Sequence, residues 1–106
     1  MASDKAYLDY VLGQLSLLGD IRSRAMMGEF IIYYRDKVAG GIYDNRFLVK
    51  QTKFAREFMP DAALEEPYEG AKPMLLVDNI EDAEFLRDLF EGMYNELPAP
   101  KKKKKG

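Results

Sequence analysis

No cysteine and no histidine occur among the 106 residues. Without cysteine there is neither a disulfide framework nor a thiolate metal site. Without histidine the commonest general base is gone, along with Ser–His and Cys–His nucleophile pairs and most transition-metal sites. Long apolar stretches are also missing. The run from Phe30 to Tyr34 falls far short of the roughly 20 residues that span a bilayer, and the N-terminal segment has no signal-peptide core. These absences predict a cytoplasmic, non-enzymatic protein with no membrane span, no catalytic residues, no cofactor and no metal.

What is present is a chain long enough for one domain, burying roughly 60–70% of its unfolded surface in a single core. Its net charge of −2 conceals segregation. Residues 1–60 carry nine Lys/Arg against seven Asp/Glu, residues 61–100 carry two against eleven, and Lys101, Lys102, Lys103, Lys104 and Lys105 follow. Such a dipolar body argues against a broad nucleic-acid footprint. Residues 1–98 are expected to form the single domain. Residues 99–106 are expected to form a disordered polybasic tail, because like charges repel and nothing apolar is there to bury.

Ser3 is a candidate N-cap for a first helix over Asp4–Leu18, with Tyr7, Leu8, Val11, Leu12, Leu15 and Leu18 at helical spacing. Gly13 inside it suggests close packing. Strands are expected at Arg22–Met27, Glu29–Tyr34, Val38–Tyr43 and Arg46–Lys50. Thr52 caps a short helix ending near Phe58, before Pro60. Glu66 to Gly70 has loop chemistry, and Met74–Val77 is a fifth strand. A long helix over Glu81–Leu97 then carries Ala83, Leu86, Leu89, Phe90, Met93 and Leu97 on one stripe, with Asp78 or Asn79 as its cap. Met26, Met27 and Met59 are expected in the core. The order α-β-β-β-β-α-β-α predicts an α+β fold: two layers, with a mostly antiparallel five-stranded sheet and the helices on one face.

The turns fix the faces. Asp44-Asn45 suits a two-residue loop with positive φ. Tyr43 then opposes Arg46, Ile42 opposes Phe47, and Gly41 opposes Leu48. Ile42, Phe47 and Val49 form the floor for the helices. Ile31, Tyr33, Tyr43, Arg46, Leu48 and Lys50 share the other face and are the candidate partner-binding residues, with Gly40-Gly41 leaving a shallow recess or a bulge beside them. A sheet sticky on both sides takes a layer on one face and a partner on the other. Arg22 and Arg24 fit an edge strand that discourages edge-to-edge pairing, or an anion site. The acidic groups Asp78, Glu81, Asp82 and Glu84 suit a helix N-terminus better than a cation site, since no EF-hand spacing is present.

Several ordered motifs carry a family resemblance. Arg24-Ala25-Met26-Met27-Gly28, the Tyr34 to Gly41 hairpin, Ile42 to Lys50, Pro67-Tyr68-Glu69-Gly70-Ala71-Lys72 and Met74 closely resemble the N-terminal domain of TfoX/Sxy proteins. The similarity extends from the first helix through Leu97. The chain departs from the family at Met27 and Gly28-Glu29, and at Leu76-Val77-Asp78-Asn79. The resemblance implies a two-layer fold similar to secretion chaperones and no enzymatic activity. It also implies regulation of bacterial competence and transcription by protein contact, as full-length members are thought to act with the cyclic-AMP receptor protein at promoters. The function expected is therefore a regulatory adaptor whose sheet face binds a protein, such as a transcription regulator, or a second copy as a homodimer. The alternative is sequence-nonspecific, weak nucleic-acid binding by Lys101–Lys105 together with Tyr33, Tyr43, Arg46 and Lys50.

Overall fold

Among the described residues, seven positions of left-handed backbone punctuate the chain, and five of them turn its first three hairpins. Met27-Gly28 (φ 52° and 86°), Arg35 (φ 60°) and Asp44-Asn45 (φ 54° and 56°) each reverse the strand in the sense that suits right-handed twist. The structure, a computed structural model, describes residues 3–99. The polybasic tail Lys101–Lys105 lies outside the described residues.

Helix α1 (Lys5–Gln14) continues as a 3₁₀ turn, Leu15–Leu17, before β1 (Ile21–Met26), β2 (Glu29–Tyr34), β3 (Lys37–Tyr43) and β4 (Arg46–Val49). Then come α2 (Lys53–Phe58), β5 (Leu64–Glu65), β6 (Met74–Leu76), α3 (Ala83–Met93) and a closing 3₁₀ turn, Tyr94–Glu96. The fold is α+β, as expected, but the antiparallel sheet has six strands in the order β1-β2-β3-β4-β6-β5. The added strand is the two-residue β5, too short to leave a periodic signal.

Leu8, Val11 and Leu15, Ala55 of α2, and Leu86, Leu89, Phe90 and Met93 of α3 pack in one cluster with Ile32, Ile42, Phe47 and Val49. All three helices therefore share one layer. The expected register Tyr43↔Arg46, Ile42↔Phe47 and Gly41↔Leu48 is the observed one. A bulge between Ile32 and Tyr33 breaks the β2–β3 ladder. Ala39 is the surplus residue and points into the core. Gly40 follows it against the β4 backbone, where a Cβ would run into the Leu48 carbonyl oxygen.

Several expectations fail on long-range grounds. Ser3 does not cap α1, whose N-cap is Asp4. Instead its hydroxyl donates to Glu29 Oε1 at 2.5 Å and accepts from the Asn45 amide at 3.0 Å, joining two hairpins to the helix start. The α3 cap is Asp82, accepting from Phe85 N at 3.1 Å, and the helix starts two residues later than expected. Gly13 faces open space, so close packing does not explain it. Met26 and Met27 are not core residues. They end and turn the edge hairpin, and Met27 is 95% exposed because a two-residue turn projects its side chains into solvent. Met59 is buried as expected.

Candidate functional site

On the opposite face of the sheet from the helices lies a loop, residues 66–73, with Pro98 and Ala99 of the C-terminal segment bordering the same surface. Arg46 holds the near end of the loop. Its Nε donates to the Tyr43 carbonyl at 3.0 Å, its Nη1 meets Glu65 Oε1 at 2.7 Å, and its Nη2 donates to the Glu66 carbonyl at 3.2 Å. At the far end Gln51 Nε2 donates to the Pro73 carbonyl at 2.9 Å. The loop backbone thus finds partners on the sheet rather than only in water. Pro67 is buried, and the Tyr68 ring stands 6.3 Å from that of Tyr43, tilted by 59°.

Between loop and sheet lies a cleft of about 630 Å³, with Val38, Tyr43, Lys50, Tyr68, Lys72 and Pro98 in its lining. A second cleft of about 460 Å³ has Arg24, Tyr33, Asp36, Val38, Lys50 and Pro98 in its lining. The two adjoin at Val38, Lys50 and Pro98 and cross the strands as one groove. Each is within the size range of ligand-binding clefts.

Of the residues expected on this face, Tyr33, Tyr43 and Lys50 line the groove, all half-buried. Ile31 lies on the face, in the row Ile31–Gly41–Leu48–Leu76, without lining either cleft. Arg46 is committed to the loop and offers little to a ligand. Leu48 requires a correction: it faces this side but is 0% exposed, so it offers no surface to a partner. The recess expected at Gly41 is filled by Tyr43, whose ring comes within 2.7 Å of where a Cβ would stand. Burial raises the Tyr43 phenol above its usual pKa, and Tyr68, Glu29 and Tyr33 add to the shift.

Sequence reasoning missed Val38, Tyr68, Lys72 and Pro98. A tyrosine between a proline and a glycine within an acidic loop is the one signal that this loop folds back onto apolar surface. Arg22 and Arg24 do sit on an edge strand, β1, and the Arg22 guanidinium lies 5.1 Å from the centroid of the Tyr33 ring. Among the described residues no group of carboxylates is placed to hold a metal ion, and no helix is long and apolar enough to cross a membrane.

The "uncharacterized 12.7 kDa protein in trpE 5′ region" of Spirochaeta aurantia is 37% identical over 105 residues, covering 98% of this chain and 91% of that protein. No family model and no solved structure matches the chain.

Proposed function

This chain and the Spirochaeta aurantia protein belong to one family, and for the present member we propose a non-enzymatic regulatory adaptor that works by protein contact in the bacterial cytoplasm. One observation carries the reading: the helices occupy a single layer, and the other sheet face bears a groove with tyrosine and proline walls. Aromatic rings with polar tips, set in a concave half-apolar surface, are the usual anchors of protein interfaces. The resemblance to TfoX N-terminal domains supports a place in transcription regulation, with a regulator protein as the partner.

The test is affinity capture from the native cytoplasm with wild type and with a Tyr33→Ser/Lys50→Ser variant, whose folding is checked by circular dichroism. The adaptor reading expects a specific protein held by wild type and lost by the variant. Equal recovery by both overturns it.

A further inference from the structure

Cations outnumber carboxylates in the groove lining by three to two. Arg24, Lys50 and Lys72 line it, and among the described residues none of them meets a carboxylate at ion-pair distance. The two carboxylates that line it keep their charge, but neither pairs with these cations, and each accepts from a neutral donor. Asp36 Oδ1 accepts from the Tyr94 hydroxyl at 2.9 Å, and Glu96 Oε1 accepts from the Phe54 amide at 2.7 Å. Lys50, half-buried at the junction of the two clefts, also has no hydrogen-bond acceptor there. An ammonium without a partner among the described residues is available to an anion.

The three cations are spread too widely for one small anion. Arg24 belongs to β1 and Lys50 follows β4, so about three strand spacings of ~4.8 Å, roughly 14 Å, separate their strands. That span corresponds to about four residues of extended chain at ~3.3 Å each. Apolar residues share the lining: Val38 in both clefts, and Pro67, Pro73 and Met74 in the larger one.

Resting on the adaptor reading, we infer that the groove holds an extended acidic segment of the partner protein. Its carboxylates meet Arg24, Lys50 and Lys72, and an apolar or aromatic side chain seats against Tyr43, Tyr68 and Pro67. A nucleic-acid strand offers the same charge, but it needs open ring faces to stack on. Here the Tyr33 ring lies beneath Arg22 and the Tyr43 ring over Gly41, which leaves the exposed Tyr68 ring but no row of open rings for successive bases.

The test uses the full chain and fluorescence anisotropy with two probes: a fluorescein-labelled peptide alternating Glu with Leu around one Tyr, and a labelled oligothymidylate. The inference expects saturable peptide binding that weakens about tenfold in Lys50→Met, the loss of ~1.4 kcal/mol of contact. A smaller loss is expected in Lys72→Met, on the exposed loop, and no change in Lys5→Met, on the helix side. Absent peptide binding, or binding indifferent to both groove variants, overturns the acidic-segment inference. The adaptor reading then survives if the captured partner is still lost by the Tyr33→Ser/Lys50→Ser variant. Oligothymidylate that binds more tightly, displaces the peptide and is weakened by Lys50→Met overturns both.

Discussion

Arg46 Nη1 and Glu65 Oε1 meet 2.7 Å apart, reaching over the intervening strand β6. With both side chains only about 30% exposed (28% and 31%), and with two loop carbonyls accepting from the same guanidinium, this pair fastens the 66–73 loop to the sheet. The arginine that looks like a binding anchor in the sequence is instead what shapes the groove for its neighbours.

Arg46→Ala should therefore act locally. The loss of charge-assisted bonds at a half-buried site costs about 1–2 kcal/mol. The sharper readout is cleavage by a glutamate-specific protease after Glu69, which should accelerate well beyond the loss of global stability. Unchanged cleavage would show that the loop is held by other contacts.

Core truncations should separate two helical residues that look alike in the sequence. Phe90 is 0% exposed and its ring lies 6.0 Å from that of Phe47, so Phe90→Ala should cost about 3–5 kcal/mol. Leu12 is only partly buried at the edge of the cluster, and Leu12→Ala should cost about 1 kcal/mol. Denaturant melts giving equal losses would mean that α1 is rotated about its axis.

Two helix glycines should respond to alanine with opposite signs. A Cβ at Gly13 meets nothing within 4 Å, so Gly13→Ala should stabilise by up to about 1 kcal/mol through helix propensity. A Cβ at Gly92 would enter the Phe54 ring, so Gly92→Ala should lower stability despite the better propensity. Thermal melts of the two variants decide this directly.

Alkali should loosen the groove. Burial raises the Tyr43 pKa, and the neutral phenol is the form the fold prefers. Its contribution is therefore complete below the unfolded value of about 10 and is lost as pH climbs through the higher folded value. Phenolate absorbance should show this group ionising after the exposed tyrosines, and Tyr43→Phe should flatten the fall in melting temperature above about pH 10. A fall of the same steepness in the variant would place the effect at Tyr7, whose pKa burial also raises.

The hairpin register was legible in the sequence because its cause is local. Asp44-Asn45 accepts positive φ, the turn fixes Tyr43 against Arg46, and the alternation of faces follows. The α3 stripe was legible for the same reason, as helical period alone places Leu86, Leu89, Phe90 and Met93. What was not legible depends on distant chain. Ser3 serves Glu29 and Asn45, partners more than twenty residues away that no local pattern announces. Leu48 alternates outward correctly, yet it is fully buried, which alternation of faces alone does not announce. The loop that makes the groove is fixed by Arg46 and Gln51, and no local pattern directs either of them to carbonyls some twenty residues away.

The strand order also divides the molecule in time. β1 to β4 each pair with their neighbour in the chain, whereas β6 returns from beyond α2 to lie between β4 and a two-residue β5. Pairings that close long loops form last and open first. Amide hydrogens of β2 and β3 should thus exchange only on global unfolding, while those of β5 and β6 exchange through a smaller opening that releases the loop and empties the groove. A ligand reaching from Arg24 to Lys72 would bind only the closed state. It would raise the free energy of that opening by mass action and bring the slow and fast halves of the sheet into one cooperative unit.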